Sequence, residues 1–230
     1  MLEPPRLAGT GAYYRVFNAD GGEVEQCGNG ARCIARFLQL HGRTAPDGVV
    51  NLGSGSGTVT ARVLADGRVA VDLGVPDFTP AALPFLAPAA AATYWLDVAG
   101  EQLEFGAVAI GNPHAVVRVA AVESAAVERI GRAFQAHASF PRQVNVGFME
   151  IVDAGHIRLR VYERGAGETR ACGTGACAAV AVGRSLGLLG AEVDVHVPGG
   201  RLSVHWQGPG APVWLTGPAE VAFTGQVELA

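Results

Sequence analysis

One motif occurs twice in this chain. Val16-Phe17-Asn18-Ala19-Asp20-Gly21-Gly22-Glu23-Val24-Glu25-Gln26-Cys27-Gly28-Asn29-Gly30-Ala31 returns as Val161-Tyr162-Glu163-Arg164-Gly165-Ala166-Gly167-Glu168-Thr169-Arg170-Ala171-Cys172-Gly173-Thr174-Gly175-Ala176. The offset is constant at 145 residues, from Cys27 to Cys172, and Val, Gly, Glu, Cys, Gly, Gly and Ala recur in place. A duplicated fold of this kind can bring two cysteines to one point from opposite sides. Two opposed thiols around one carbon can remove a proton on one face and return it on the other. The repeat therefore predicts racemase or epimerase chemistry.

The repeat extends past the motif. Gly57-Thr58-Val59-Thr60-Ala61 resembles Gly200-Arg201-Leu202-Ser203-Val204, and Val71-Asp72-Leu73-Gly74 resembles Val213-Trp214-Leu215-Thr216-Gly217. Each half thus reads strand, cysteine, helix, hairpin. Residues 58–64 and 68–73 form a hairpin pattern around Ala65-Asp66-Gly67. Ile157, Leu159 and Val161 alternate with Arg158, Arg160 and Tyr162, as in a half-buried strand. Residues 193–197, 202–206 and 213–216 are further strand candidates, and 123–137 has helical spacing. The helix after Cys172, Ala176-Cys177-Ala178-Ala179-Val180-Ala181-Val182, is apolar all round, so it belongs inside a sheet. We expect an α+β fold of two pseudo-symmetric domains, 1–74 plus 218–230 and 75–217, with a last strand in 218–230 returning to the first half.

With 230 residues, 49% hydrophobic and 17% charged, the chain can build real cores. A net charge of −4 and no basic run argue against nucleic acid. The apolar stretch 81–96 is broken by Pro84 and Pro88, which argues against a membrane span, and Met1-Leu2-Glu3-Pro4-Pro5 has no signal-peptide pattern. These features predict a cytoplasmic location. All 17 basic residues are arginine. Without lysine no Schiff base to pyridoxal phosphate can form, so no cofactor is expected. The four cysteines, Cys27, Cys33, Cys172 and Cys177, form no Cys-x-x-Cys pair, and no metal site is expected.

Removing the α-hydrogen of an amino acid needs a strong base and dispersal of the carbanion's charge. Cys27 and Cys172 both fall at helix starts, where a thiol's pKa can drop well below its usual ~8.5. Gly28-Asn29-Gly30 and Gly173-Thr174-Gly175 leave backbone N–H groups open to bind a carboxylate at a helix N-terminus. Such groups would also stabilise an enolate-like transition state. One cysteine must be thiolate and the other thiol. Glu163 can accept from an ammonium, and Arg164 can hold a second carboxylate. Asn18, Asn112 and Asn145 complete the polar set, the last two in loop-like contexts.

Blander readings exist for each residue. Cys33 and Cys177 read as small buried hydrophobes. A single Gly-x-Gly is often only a turn. Arg164 reads also as a solvated strand-end charge, Asn112 before Pro113 as a turn start, and His114 as a satisfied structural histidine. The remaining histidines read as surface. A Cys27–Cys172 disulfide is an available inactivation route if the Cα atoms approach within about 7 Å.

At these motifs the chain resembles the diaminopimelate epimerase family. The matching stretches are Phe17 to Gly21, Cys27-Gly28-Asn29-Gly30-Ala31-Arg32-Cys33, Gly111-Asn112-Pro113-His114, and Tyr162 through Gly175. The resemblance implies a pyridoxal-independent two-base epimerase that interconverts LL- and meso-diaminopimelate in lysine biosynthesis. It implies two mostly antiparallel, barrel-like sheets, each around a central helix, and a homodimer with Phe223 near its contact. By that resemblance Cys27 and Cys172 are the acid and base. Backbone groups of Gly28, Asn29, Gly173 and Thr174 bind the reacting carboxylate. Glu163 meets the amino group, while Asn18, Asn112, Asn145 and Arg164 recognise the substrate. His114 and Glu163 support the cysteines.

Family members carry some forty-odd residues ahead of the point matching Met1, with two more substrate contacts. The resemblance therefore implies a shortened first half with exposed strand edges, low stability and weak activity in isolation. Two alternatives stay open on the residues alone: a related racemase acting on proline, and an inactive fragment that only binds a ligand or a partner chain.

Overall fold

A computed structural model of the chain describes residues 1–17, 21–24, 28–87 and 89–226. In the first half the elements are β1 (Leu2–Glu3), β2 (Ala12–Tyr14), β3 (Val16–Phe17), β4 (Glu23–Val24), α1 (Gly28–Leu40), β5 (Val49–Ser54), β6 (Gly57–Val63) and β7 (Val69–Asp72). The second half holds β8 (Tyr94–Val98), β9 (Glu101–Ala109), β10 (Pro113–Arg118), α2 (Val127–Ala136), β11 (Asn145–Asp153), β12 (His156–Glu163), β13 (Gly167–Thr169), α3 (Gly173–Ser185), β14 (Glu192–Val197), β15 (Gly200–Trp206) and β16 (Val213–Gly217). The expected hairpin, the alternating strand at 157–161 and the three late strands are all present, and the helix expected over 123–137 is α2.

One sheet runs through both halves in the order β1-β2-β5-β6-β7-β16-β15-β14-β12-β11-β10-β9-β8, with β13 added beside β12. It is mostly antiparallel; β2–β5, β10–β11 and β12–β14 are its parallel pairs among the described residues. The halves join where β7 pairs antiparallel with β16. These are the two copies of one repeated strand. Asp72 and Trp214 occupy equivalent places in the repeat and lie opposite each other in the ladder. A strand can pair with its own equivalent in this way only across a two-fold axis, so the pseudo-symmetry of the sequence is physically the β7–β16 seam. Contacts repeat about it. A side chain at Gly28 would meet Leu73 Cδ2 at 3.2 Å, and one at Gly173 would meet Leu215 Cδ2 at 2.8 Å. Leu73 and Leu215 are again equivalent positions.

The helices use their surroundings unequally. Every residue from Gly173 to Gly183 in α3 is buried, and the sheet curls around it, with β9, β10, β11, β12, β15 and β16 all in contact. Small side chains make this approach possible. Gly106 on β9 lies so close to α3 that a Cβ there would sit 2.3 Å from Val182 Cγ1. By contrast α1 buries one stripe, Gly28, Ala31, Arg32, Ala35 and Leu38, against β5, β6 and β7. Its outer face leaves Phe37 and Leu40 exposed. Cys33 lies on that face too, which corrects its expected burial: among the described residues the helix has sheet on one side only.

Outside the sheet, α2 covers the other face of β11, β12 and β13. A second core forms there, with the rings of Phe85, Phe105, Phe134 and Phe140 in one connected cluster. Tyr162, expected on an open face, is therefore buried. Gly131 of α2 sits on its ring, 2.4 Å from where a Cβ would stand. The strand expected in 218–230 is absent from residues 218–226, and 227–230 lie outside the described residues. Ala219 to Phe223 instead line a hollow against Ile34, Arg36 and Phe37 of α1.

Candidate active site

The two helix starts meet at the β7–β16 seam. Leu215 Cδ2 lies within van der Waals range of the Cβ positions of both Gly28 and Gly173, and Asn29 Oδ1 is 3.3 Å from that of Gly173. A larger residue at either glycine would push its helix off the seam. The repeat thus places Gly28, Asn29, Gly173 and Thr174 together, with the starts of α1 and α3 side by side. Cys27 and Asn18 lie outside the described residues.

Cys172 is the N-cap of α3, with extended backbone, and its Sγ accepts from Gly175 N–H at 3.4 Å. Only 5% of its surface is exposed. Thr174 Oγ1 is 3.6 Å from the same sulfur. The helix-start position alone predicts a lowered thiol pKa, and here the outcome is reversed. Burial, then the Glu163 carboxylate, push the Cys172 thiol up to about 12, against which the Thr174 and Gly175 hydrogen bonds work only in part. Cys172 therefore rests as a thiol at neutral pH. Cys177, five residues along α3, is fully buried, and burial raises its pKa as well.

Glu163 ends β12 and is fixed by Thr169, whose hydroxyl donates to Oε1. The turn between them depends on Gly165 and Gly167, both at positive φ (75° and 78°), where a Cβ would be strained. Next in sequence, Arg164 donates from Nη1 to Arg142 O at 3.2 Å. Its backbone N–H is held by Asn145 Oδ1 at 2.9 Å, while Asn145 Nδ2 donates to Pro113 O at 3.0 Å. Asn145 is thus no loop residue. It is buried at the start of β11 and ties the Glu163–Arg164 corner to the Asn112–His114 segment.

His114, 1% exposed, sits behind the second motif. Its Nε2 is 2.9 Å from Asn112 Oδ1 and 3.0 Å from Thr174 Oγ1. Burial, helped by the Arg164 charge, pushes its pKa from an ordinary 6.5 down to about 3. The imidazole is neutral over the physiological range. The sign for stability follows: the unfolded chain takes up this proton below pH 6.5 and the folded chain does not until about 3. Stability from this group is complete above 6.5 and is lost as pH falls toward 3. In denaturant titrations across that window, His114→Gln should reduce the pH slope of unfolding free energy by about one proton. An unchanged slope would show that His114 already titrates in the folded chain.

The structure therefore joins Asn112, His114, Thr174, Cys172 and Glu163 by direct contacts, with Asn145 and Arg164 beside them and Asn29 reaching across from α1. Sequence reasoning missed Thr169 and Leu215. Thr169 lies inside the repeated motif, in the Gly-Glu-Thr stretch that forms β13, but its role depends on a turn that folds it back onto Glu163. Leu215 gave no signal beyond its equivalence with Leu73.

The family model described as diaminopimelate epimerase matches residues 8–79 and 106–222. A diaminopimelate epimerase of Chromobacterium violaceum is 53% identical over 229 residues, covering 100% of this chain and 83% of the relative. Among solved structures, a probable proline racemase from Agrobacterium radiobacter with bound carbonate superposes with a TM-score of 0.72 at 20% identity, over 100% of this chain and 75% of that one. A hydroxyproline epimerase from Agrobacterium vitis gives 0.68 at 21% identity, over 94% and 71%. At such identities the two structures speak for the fold alone. The family match and the 53% identical relative go further, and the chain belongs to the diaminopimelate epimerase family.

Proposed function

We infer that this chain is a cofactor-independent epimerase that interconverts LL- and meso-diaminopimelate, serving lysine biosynthesis. The observation that carries this reading is the meeting of two helix N-termini beside a buried cysteine and a carboxylate, on a chain whose family is diaminopimelate epimerase. In the resting form Cys172 is the thiol, so Cys27 is the base. Cys27 thiolate takes the α-proton from one face of the substrate carbon, and the Cys172 S–H gives its proton to the other. Cys27 ends as thiol and Cys172 as thiolate, and the reverse reaction restores them.

The backbone N–H groups of Gly28, Asn29, Gly173 and Thr174 bind the reacting carboxylate and spread the charge of the enolate-like transition state. Glu163 receives the α-ammonium. That contact has a second effect. The Glu163 charge disfavours a thiolate at Cys172, and an ammonium beside it offsets that repulsion when the thiolate must form. Arg164, with Asn18, Asn112 and Asn145, reads the distal amino-acid end, and His114 supports the cysteine. We also propose that two copies form a homodimer, with Phe223, 87% exposed, near the contact. Domain limits of 1–74 plus 218–230 and 75–217, divided at the β7–β16 seam, are our reading of the repeat. Among the described residues no helix is long and apolar enough to cross a membrane, and we place the protein in the cytoplasm.

The test is NMR of LL-diaminopimelate in D₂O under reducing conditions. We expect deuterium at the α-carbon and appearance of the meso isomer, with no exchange into L-proline under the same conditions. Exchange into proline alone would transfer the chain to a racemase of the related type. Silence toward both would refute the assignment.

A further inference from the structure

The mechanism leaves one side chain at its centre unused. Thr174 enters it only through its backbone N–H, yet its hydroxyl is buried between His114 and Cys172. The direction of that hydroxyl's hydrogen follows from its neighbours. Asn112 Oδ1, 2.9 Å from His114 Nε2, can only accept, so Nε2 carries the ring hydrogen. Nε2–H therefore faces Thr174 Oγ1 as a donor, and the Thr174 hydrogen cannot point back at the ring. Among the described residues the remaining polar neighbour of Oγ1 is Cys172 Sγ, at 3.6 Å.

We propose that the Thr174 hydroxyl is a dedicated hydrogen-bond donor to the Cys172 sulfur, held in that role by the Nε2–H of His114. It serves the moment after Cys172 has given up its proton. With Gly175 N–H on the same sulfur, Thr174 makes a preformed two-donor cradle for the thiolate, which needs no reorganisation as charge develops. The two motifs differ here. The position equivalent to Thr174 in the first repeat is Asn29, so the two cysteines are given different partners by otherwise matched sequences. Thr174 is thus a positioning residue acting through Cys172. The titratable group acting on that sulfur from its surroundings is Glu163 at the end of β12, while Cys172 itself helps to raise Cys177 further along α3; His114 on β10 stays neutral.

This inference rests on the two-thiol reading above, but its first test does not require turnover. The reduced chain is alkylated with iodoacetamide at pH 8–10, and the rate at Cys172 is read by peptide mass spectrometry. Losing one hydrogen bond to a charged sulfur should slow alkylation of Thr174→Val about ten-fold at each pH. Thr174→Ser should remain within about two-fold of the unchanged chain, because it keeps the hydroxyl. Thr174→Ala, which removes the hydroxyl without adding bulk, should match Thr174→Val and serves if the valine variant does not fold. A Cys172 rate unchanged by loss of the hydroxyl, or a serine variant as slow as valine, overturns the proposal. In the epimerase assay, Thr174→Val should lower kcat about ten-fold with KM nearly unchanged, since the backbone N–H that meets the carboxylate is retained. A rise in KM at constant kcat would assign Thr174 to carboxylate binding only and would also overturn it. Absent turnover in every version would count against the two-thiol reading, while the alkylation rates would still decide the role of Thr174.

Discussion

Replacing Cys172 with serine should cut α-hydrogen exchange and epimerisation by about 10³-fold or more. A positioned acid or base contributes roughly 10²–10⁴ in rate, and a serine hydroxyl is a far weaker proton donor than a thiol. The fold should survive the change. Cys172 is the N-cap of α3, accepting from Gly175 N–H, and serine is a favoured N-cap. Circular dichroism and the thermal midpoint should therefore stay close to those of the unchanged chain while exchange in D₂O disappears. Turnover within ten-fold of the parent would show that Cys172 is not the proton donor.

The second large effect concerns a residue that touches no substrate. Gly106→Ala should destabilise the chain by roughly 2–3 kcal/mol, at the upper end of overpacking costs. The new methyl would stand 2.3 Å from Val182 Cγ1 and 3.0 Å from Cγ2. Valine is stiff at χ1 and has no flexible end to swing aside, and α3 is enclosed on every side, so the strain has to move the helix against the sheet. For a chain of this size the thermal midpoint should drop by about 5–10 °C. Activity should fall as well, since α3 carries both Cys172 and the Gly173–Thr174 N–H groups. A midpoint within 2 °C of the parent, roughly a single kcal/mol of cost, would mean that the β9–α3 approach is looser than these distances state.

Both effects trace back to features with very different visibility in the sequence. Cys172 stands out in the sequence because the proposed chemistry calls for its residue type and the repeat doubles the signal. Gly106 was not, since nothing in Glu104-Phe105-Gly106-Ala107 says which helix will lie across the strand. Local pattern was enough where it had a period. The hairpin of β6 and β7, the alternation in β12 and the apolar run of α3 all formed as their spacing required. It failed where burial came from a partner far along the chain. Tyr162 reads as outward-facing from its alternation, yet α2 covers it, and Cys33 reads as buried although among the described residues α1 has sheet on only one side. Asn145 read as a loop residue because its two hydrogen-bond partners, Pro113 and Arg164, lie 32 and 19 residues away.

By itself the sequence determined the duplicated architecture, the absence of a lysine for Schiff-base chemistry, and the identity of the residues that meet at the two helix starts. These depend on composition, periodicity and repetition, which are properties of the chain read in order. Only the tertiary structure decided that the repeat axis runs through the β7–β16 pair, that His114 is neutral, and that Cys172 rests as a thiol rather than a thiolate. Its ionisation shows why. A helix start favours negative charge locally, but desolvation and the Glu163 carboxylate act through space, and neither can be weighed until the fold has set the distances and shut out the water.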